Sequence, residues 1–351
     1  MIKDEFSVTN DGSRVADVII IGSGPAGCAA AASCRQAGLQ VLIITEEDEL
    51  KEFASSSIGP LESIHPGVSS LLNKIGAAGS EIHSTRALYS GIYAYGNYSP
   101  LGEDENGSWQ GLHIQRNIFN AQLISHLKAS GVPVLFNQEV DDFILEDGKV
   151  VGIRTGAKEW HAKFTIDASG KQAIAGKKLK WKRQFYSPPL ICWMGVSKCD
   201  QSLPFDTGAA HFIPGHQQWT WLAPQPPDYC AWTRLAMKGE KDLGPPNELK
   251  DCATVGEIQF ANMRWRMYRP VCSEGILLCG DAAGILDPAA GQGIFNALWS
   301  GIVAANTVAA CMQEPDLASF HLARYDDWFV QHFEGKVAQL KEYYRENGIV
   351  I

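Results

Sequence analysis

The sequence contains no C-x-x-C pair, and its nine cysteines are scattered and odd in number. That argues against a zinc ribbon and a disulfide framework and predicts a reducing compartment. No stretch of about eighteen uninterrupted apolar residues occurs, so no membrane-spanning helix is expected. Met1 to Ser7 carries Asp4 and Glu5 and lacks the profile of a signal peptide. A cytoplasmic protein without a membrane partner follows. Basic residues are in short supply: 30 Lys and Arg against 39 Asp and Glu leave a net charge of −9. Such a surface repels phosphate backbones, and nucleic acid is not expected as a partner. Lys177, Lys178, Lys180, Lys182 and Arg183 form a local basic cluster, read as a solvated loop. No metal centre is expected, and there are no internal repeats or low-complexity linkers.

What is present is a chain of 351 residues, 45% hydrophobic and 20% charged, enough for two intimately joined subdomains. Ala16 to Ile21 is a short apolar run suited to a buried parallel strand. An Ala-rich helix from Pro25 to about Ala37 follows, with Gly38 at its C-cap, and then a second buried strand from Val41 to Ile44. Asn117 to Ala129 reads as a helix and Val132 to Phe136 as a strand. Val140 to Leu145 and Val150 to Thr155 read as a hairpin across Asp147-Gly148. Pro188 to Met237, rich in Trp and Pro, reads as antiparallel sheet on the substrate side. A buried strand from Ile276, a Gly-rich turn and a helix from Ile294 to Cys311 come next. Leu317 to Asn347 is an amphipathic helix whose stripe of Trp328, Phe329, Phe333, Val337 and Leu340 reads as core packing.

Gly22-Ser23-Gly24-Pro25-Ala26-Gly27 lies between the first strand and the first helix. Three glycines at this spacing arise by chance, but here they sit within a βαβ unit. The first permits a tight turn, the second lets backbone amides approach a pyrophosphate, and the third permits close helix–strand contact. The acid expected at the end of the second strand falls at Thr45-Glu46-Glu47. Either Glu46 reaches the ribose through a one-residue shift or Thr45 takes its place.

Near the C-terminal end, a strand runs into Gly280-Asp281, whose carboxylate suits a ribityl hydroxyl. A loop with Pro288, Gly291, Gln292 and Gly293 then opens a helix at Ile294. That helix N-terminus favours negative charge on the N1–O2 edge of a reduced flavin. Together the two segments resemble the FAD motifs of the glutathione-reductase-type flavoproteins, in the branch holding aromatic hydroxylases, geranylgeranyl reductases and flavin-dependent halogenases. Asp167-Ala168-Ser169-Gly170 is similar to the central Ala-Thr-Gly motif of that branch, and Arg116 matches the arginine it places beside the FAD phosphates. The resemblance implies FAD as cofactor. The fold class it implies is α/β: a three-layer Rossmann-like FAD-binding domain, an antiparallel β substrate subdomain and C-terminal helices. The expected boundaries are 1–78, 107–175 and 270–315 for the FAD domain, 79–106 and 176–269 for the substrate subdomain, and 316–351 for the closing helices.

A finer resemblance lies in Gly59-Pro60-Leu61-Glu62-Ser63-Ile64-His65-Pro66, which is similar to a segment of the halogenase-like proteins. Arg264 to Pro270 and the Tyr325-x-x-Trp328 pair point the same way. They are similar to the tryptophan-modifying flavoproteins of cysteine tryptophylquinone biogenesis, which act on a precursor protein. This resemblance implies FAD-dependent oxygenation of an aromatic substrate, with Glu62 and His65 as candidate catalytic residues. Trp219-Thr-Trp221-Leu-Ala-Pro224 resembles a Trp pair of the halogenases and reads equally as sheet packing. Halogenation is not expected, because Ser84 to Tyr93, where those enzymes carry a lysine, has Arg86 and Tyr89 but no lysine. No second glycine fingerprint exists for a nicotinamide, so reduced flavin is expected from a separate flavin reductase or the electrons from the substrate itself. The rivals are a reductase or dehydrogenase of a small substrate and a flavin-binding maturation chaperone.

Overall fold

The computed structural model describes residues 7–8, 14–49, 61–105, 107–237 and 244–350. Gly59 and Pro60 of the halogenase-like segment lie outside them.

The chain opens on β1 (Arg14–Ile21), whose Val18, Ile19, Ile20 and Ile21 are buried on both faces. It turns at Gly22 into α1 (Pro25–Gln36) and returns as β2 (Val41–Ile44), so the expected βαβ unit forms. A small sheet follows from β3 (Leu61–Ile64), β4 (Thr85–Tyr89) and β7 (Gly111–Gln115), with α2 (Gly67–Lys74) after β3. Between β4 and β7, the strands β5 (Gly91–Ala94) and β6 (Asn97–Pro100) leave to join another sheet. Then come α3 (Arg116–Ala129), β8 (Val134–Leu135), β9 (Asp142–Glu146), β10 (Lys149–Thr155) and β11 (Lys158–Asp167). β9 and β10 are the expected hairpin, and positive φ at both Asp147 and Gly148 is what a tight two-residue turn requires.

The main sheet runs β8–β2–β1–β11–β10–β9. β11 is its pivot. Its first half pairs antiparallel with β10, and its last residues pair parallel with β17 (Ile276–Leu278), which delivers the C-terminal motif beside the N-terminal one. The second large sheet, of seven strands, runs β16–β12–β15–β14–β13–β5–β6 and contains β12 (Leu190–Lys198), β13 (Ala210–Pro214), β14 (Gln218–Gln225), β15 (Tyr229–Met237) and β16 (Ala253–Asn262). It is antiparallel throughout except where β13 pairs parallel with β5.

Two helices complete the fold: α4 (Gly293–Gln313) and α5 (Ala318–Glu346). α4 is long and apolar enough to cross a membrane by composition, yet 61% of its apolar window is buried inside the protein. It packs on α1 with almost no side chain between them. A Cβ on Gly301 would lie 2.3 Å from the carbonyl oxygen of Ala26, so only glycine allows that approach. The architecture is therefore the expected α/β class, a Rossmann-like FAD-binding fold with an antiparallel sheet and a C-terminal helical region.

One expectation is corrected. Cys199 and Cys252 form a disulfide, joining the residue after β12 to the residue before β16. These strands are neighbours, with Lys198 opposite Ala253, so the bridge staples the end of an existing strand pair. Cysteine spacing did not show it because the two residues are 53 apart in sequence and meet only through sheet register. The seven other cysteines are buried and lie outside any disulfide.

Candidate active site

The three fingerprint glycines have three different environments. Gly22 has φ +100, and a Cβ there would meet the Ala168 carbonyl oxygen at 2.6 Å. The Asp167–Gly170 motif thus packs directly against the fingerprint, with the buried Asp167 carboxylate accepting from the amides of Ser169 and Ala175. A Cβ on Gly27 would lie 2.0 Å from the Gly22 carbonyl oxygen. Gly24 differs. Its φ is −69 and a Cβ would meet nothing within 4 Å, so the fold itself does not require glycine there. What glycine preserves is open space before the first turn of α1, which has no side-chain cap and begins with Pro25 and Ala26. Uncapped amides behind an open approach fit a pyrophosphate.

Of the two ribose candidates, Thr45 is buried, and its hydroxyl accepts from Ser23 Oγ at 3.1 Å and from the Glu47 amide at 3.3 Å. Glu46 is exposed, with its carboxylate held by the Gln172 side chain. Of these two candidates, Glu46 is the one with an exposed carboxylate.

Arg116 is the first residue of α3 and meets Glu62 on the adjacent small sheet, Nη1 to Oε2 at 2.6 Å. Both side chains are about 40% exposed, 37% and 43%, so the pair adds little stability and its effect is to fix position. The charge of Glu62 is therefore committed to Arg116. His65, at the end of β3, accepts the Gly67 amide on Nδ1 at 3.0 Å and lies edge-on to Trp109 and Phe295. It lines a hollow of about 270 Å³ with Ser69, Asp104 and Trp109, not the larger cavity. Burial and the nearby Lys336 charge hold its pKa below the usual histidine value, so it is neutral at pH 7. His113 is fully buried, stacked on Tyr89, and burial pushes its pKa down to about 3. Its Nδ1 bonds to Ser63 Oγ at 2.9 Å, a structural role.

The larger cavity, of about 340 Å³, opens where the C-terminal motif meets the antiparallel sheet and α5. Asp281, Gln292 and Gly293 form one wall, and Ile92 and Trp221 another. The half-buried Asp281 carboxylate makes no hydrogen bond among the described residues. Burial raises its pKa, and the charges of Arg116 and Lys171 oppose that rise. A carboxylate facing an open cavity fits a ribityl hydroxyl. Behind the wall, the loop through Pro288 and Gly291 is anchored by buried Asp287, which accepts from Trp265 Nε1 at 2.6 Å, Tyr344 OH at 2.7 Å and the Ala289 amide at 3.0 Å. Ile294 is buried in the core beneath. The Trp pair divides: Trp219 is buried and donates to Tyr344 OH, whereas Trp221 faces the cavity and donates to Ser63 Oγ at 2.8 Å.

The third wall is α5, and sequence reasoning missed its polar part. Phe329 and Phe333 of the expected core stripe line the cavity, but so do His332 and Lys336. Residues 329, 332, 333, 336 and 340 keep helical spacing on one face. A histidine and a lysine interrupting an apolar stripe were the signal available. Ser84 to Tyr93 holds no lysine, yet the cavity has one, from a helix far along the chain.

Comparison with known proteins supports the fold and the cofactor. Residues 17–177 match the family model of FAD dependent oxidoreductases. A digeranylgeranylglycerophospholipid reductase of Methanocella arvoryzae is 26% identical, over 88% of this chain and 81% of that protein. A 1H-pyrrole-2-carbonyl-(peptidyl-carrier protein) brominase of Pseudoalteromonas luteoviolacea is 28% identical, over 89% and 81%. Among solved structures, the flavin-dependent brominase Bmp2 superposes with a TM-score of 0.75 at 24% identity, over 90% of this chain and 83% of that one. A geranylgeranyl bacteriochlorophyll reductase-like protein of Thermoplasma acidophilum gives 0.76 at 21% identity, over 92% and 85%. FAD is the cofactor, and over most of its length the chain is similar to a digeranylgeranylglycerophospholipid reductase and to a flavin-dependent brominase.

Proposed function

We propose that the protein inserts oxygen into an aromatic ring. The observation that carries this reading is the shared cavity: the FAD-motif residues Asp281 and Gln292 face Trp221, Phe329 and Phe333 across one space. Flat apolar walls select a planar substrate and exclude water. Bound and reduced, FAD would supply two electrons that, with two protons, let molecular oxygen convert a ring C–H to C–OH and release the other oxygen atom as water. Gly24 and Arg116 serve the phosphates, Glu46 the ribose and Asp281 the ribityl chain. A separate flavin reductase supplies the electrons, since no nicotinamide fingerprint exists. The finer reading, a tryptophan of a precursor protein in tryptophylquinone biogenesis, rests on the segments around Glu62, Arg264 and Tyr325.

Halogenation is the second reading, favoured by Lys336 in the cavity wall. Purified protein, FAD, a flavin reductase, ¹⁸O-labelled oxygen and a tryptophan-bearing peptide, with bromide present, separate the readings by mass spectrometry. A labelled oxygen in the product supports hydroxylation. Bromine in the product moves the assignment to the second reading. Turnover of an unsaturated substrate without oxygen would remove both in favour of a reductase.

A further inference from the structure

We propose that Lys336 is the counter-charge of the reduced flavin. Its ammonium, held at the head of α4, stabilises the negative charge that the isoalloxazine acquires on taking up two electrons and one proton.

Three independent features lead there. The first is the attachment of the side chain. Lys336 Nζ donates to Gln292 Oε1 at 2.7 Å, and Gln292 immediately precedes the first residue of α4. The lysine on the closing helix is thereby tied to the FAD-motif loop and not to the sheet. The second is the helix head itself. α4 has no side-chain cap, because the Gln292 side chain is turned to Lys336, and a Cβ on Gly293 would meet nothing within 4 Å. Uncapped amides and an ammonium then converge on one end of the cavity that Asp281 also lines.

The third is the missing partner. Lys336 is half-buried, burial lowers its pKa, and no carboxylate lies within ion-pair reach of it among the described residues. Its charge acts on His65 and His332, and the Asp281 carboxylate lines the same cavity beyond ion-pair reach. Burial first, and then the Lys336 charge, keep both histidines below their usual pKa and so neutral. A partly desolvated cation beside the positive end of a helix is unfavourable unless an anion occupies the site during part of the cycle. Oxidised flavin is neutral and reduced flavin is anionic, so the interaction favours one redox state over the other. That difference raises the midpoint potential. The inference rests on the flavin end of FAD occupying this cavity and does not depend on which substrate follows.

The test uses FAD-loaded protein without substrate or oxygen. Lys336→Met and Lys336→Arg are titrated with dithionite against a reference dye, and the affinity of each for sulfite, which leaves a negative charge on oxidised flavin, is measured. The Met variant should lose about tenfold to hundredfold of its preference for the reduced form, a potential lower by about 30–60 mV for a two-electron couple. Sulfite affinity should fall in parallel, and Arg should restore most of both. An unchanged potential with weaker binding of indole-3-carboxylate would assign the ammonium to a substrate anion and overturn the proposal. So would equal weakening of oxidised and reduced FAD, the mark of a purely structural lysine. If the Met variant does not fold, Lys336→Gln, which retains a donor for Gln292, is read in the same two assays.

Discussion

The indole N–H of Trp221 donates to the hydroxyl of Ser63 at 2.8 Å, and the same hydroxyl bonds to the buried ring of His113 at 2.9 Å. One oxygen thus joins the wall of the antiparallel sheet to the strand that carries Glu62 and His65.

Ser63→Ala should therefore leave the buried His113 ring and the half-buried Trp221 indole without this partner. The expected cost is about 1–3 kcal/mol, read as a lower midpoint in urea or thermal unfolding of the apoprotein. An unchanged midpoint would show that Trp221 and His113 find other partners and that the link is dispensable.

Two glycine substitutions should separate fold from ligand. Gly27→Ala places a methyl 2.0 Å from a backbone oxygen and should lower apoprotein stability. Gly24→Ala meets nothing within 4 Å and should fold normally while binding FAD more weakly. Asp281→Ala should also spare the fold and weaken FAD by about 1.5–3 kcal/mol, roughly 10- to 150-fold. Fluorescence titration measures all three. A Gly24→Ala protein with full FAD affinity would remove the pyrophosphate from that site.

Asp287 makes stability depend on pH with a definite sign. Burial, partly offset by its bonds to Tyr344, Ala289 and Trp265, raises its pKa from 3.8 to about 6. Between those values the folded protein keeps a proton that the unfolded chain has released. The stabilisation is fully present below the lower value and is lost as pH rises through about 6. The amplitude is about 3 kcal/mol, from roughly two pH units at about 1.4 kcal/mol each. Denaturant midpoints across this window should fall with rising pH in the wild type, and Asp287→Asn should flatten that component. An identical slope in the variant would place the titration elsewhere.

The bridge between Cys199 and Cys252 predicts that seven thiols, not nine, react with a thiol reagent in denaturant without reductant. Cys252→Ser should lower stability by about 2–4 kcal/mol, the usual effect of opening a long loop. Nine reactive thiols in freshly purified protein would exclude the bridge.

The parts legible in the sequence are those written in local pattern. Ala16 to Ile21, the fingerprint, Asp147-Gly148 and the Ala-rich helices each declare their structure within a few residues, because burial on both faces, positive φ and close helix approach restrict residue type strongly. The parts that were not legible depend on register and distance. Cys199 meets Cys252 only because two strands pair. Lys336 reaches the cavity only because α5 crosses beside Gln292, and on its own helix it reads as one charge on a mostly apolar stripe. The Trp pair falls between these cases. Alternation placed Trp219 and Trp221 close in sequence on one strand, and only the neighbouring elements decided that one is core and the other wall.

The contact of Gly301 with Ala26 has a mechanical consequence. The N-terminal fingerprint and the C-terminal motif sit at the heads of two helices whose backbones touch, with no side chain between them to serve as a lubricant or a hinge. With FAD bound as proposed, they would form one clamp on the cofactor that could not spread without breaking that contact. Breathing that admits a substrate would then come from the other walls, the α5 helix or the antiparallel sheet at Ile92, which meet the cavity through side chains able to rearrange. The cofactor would stay seated while the substrate side opens and shuts around it.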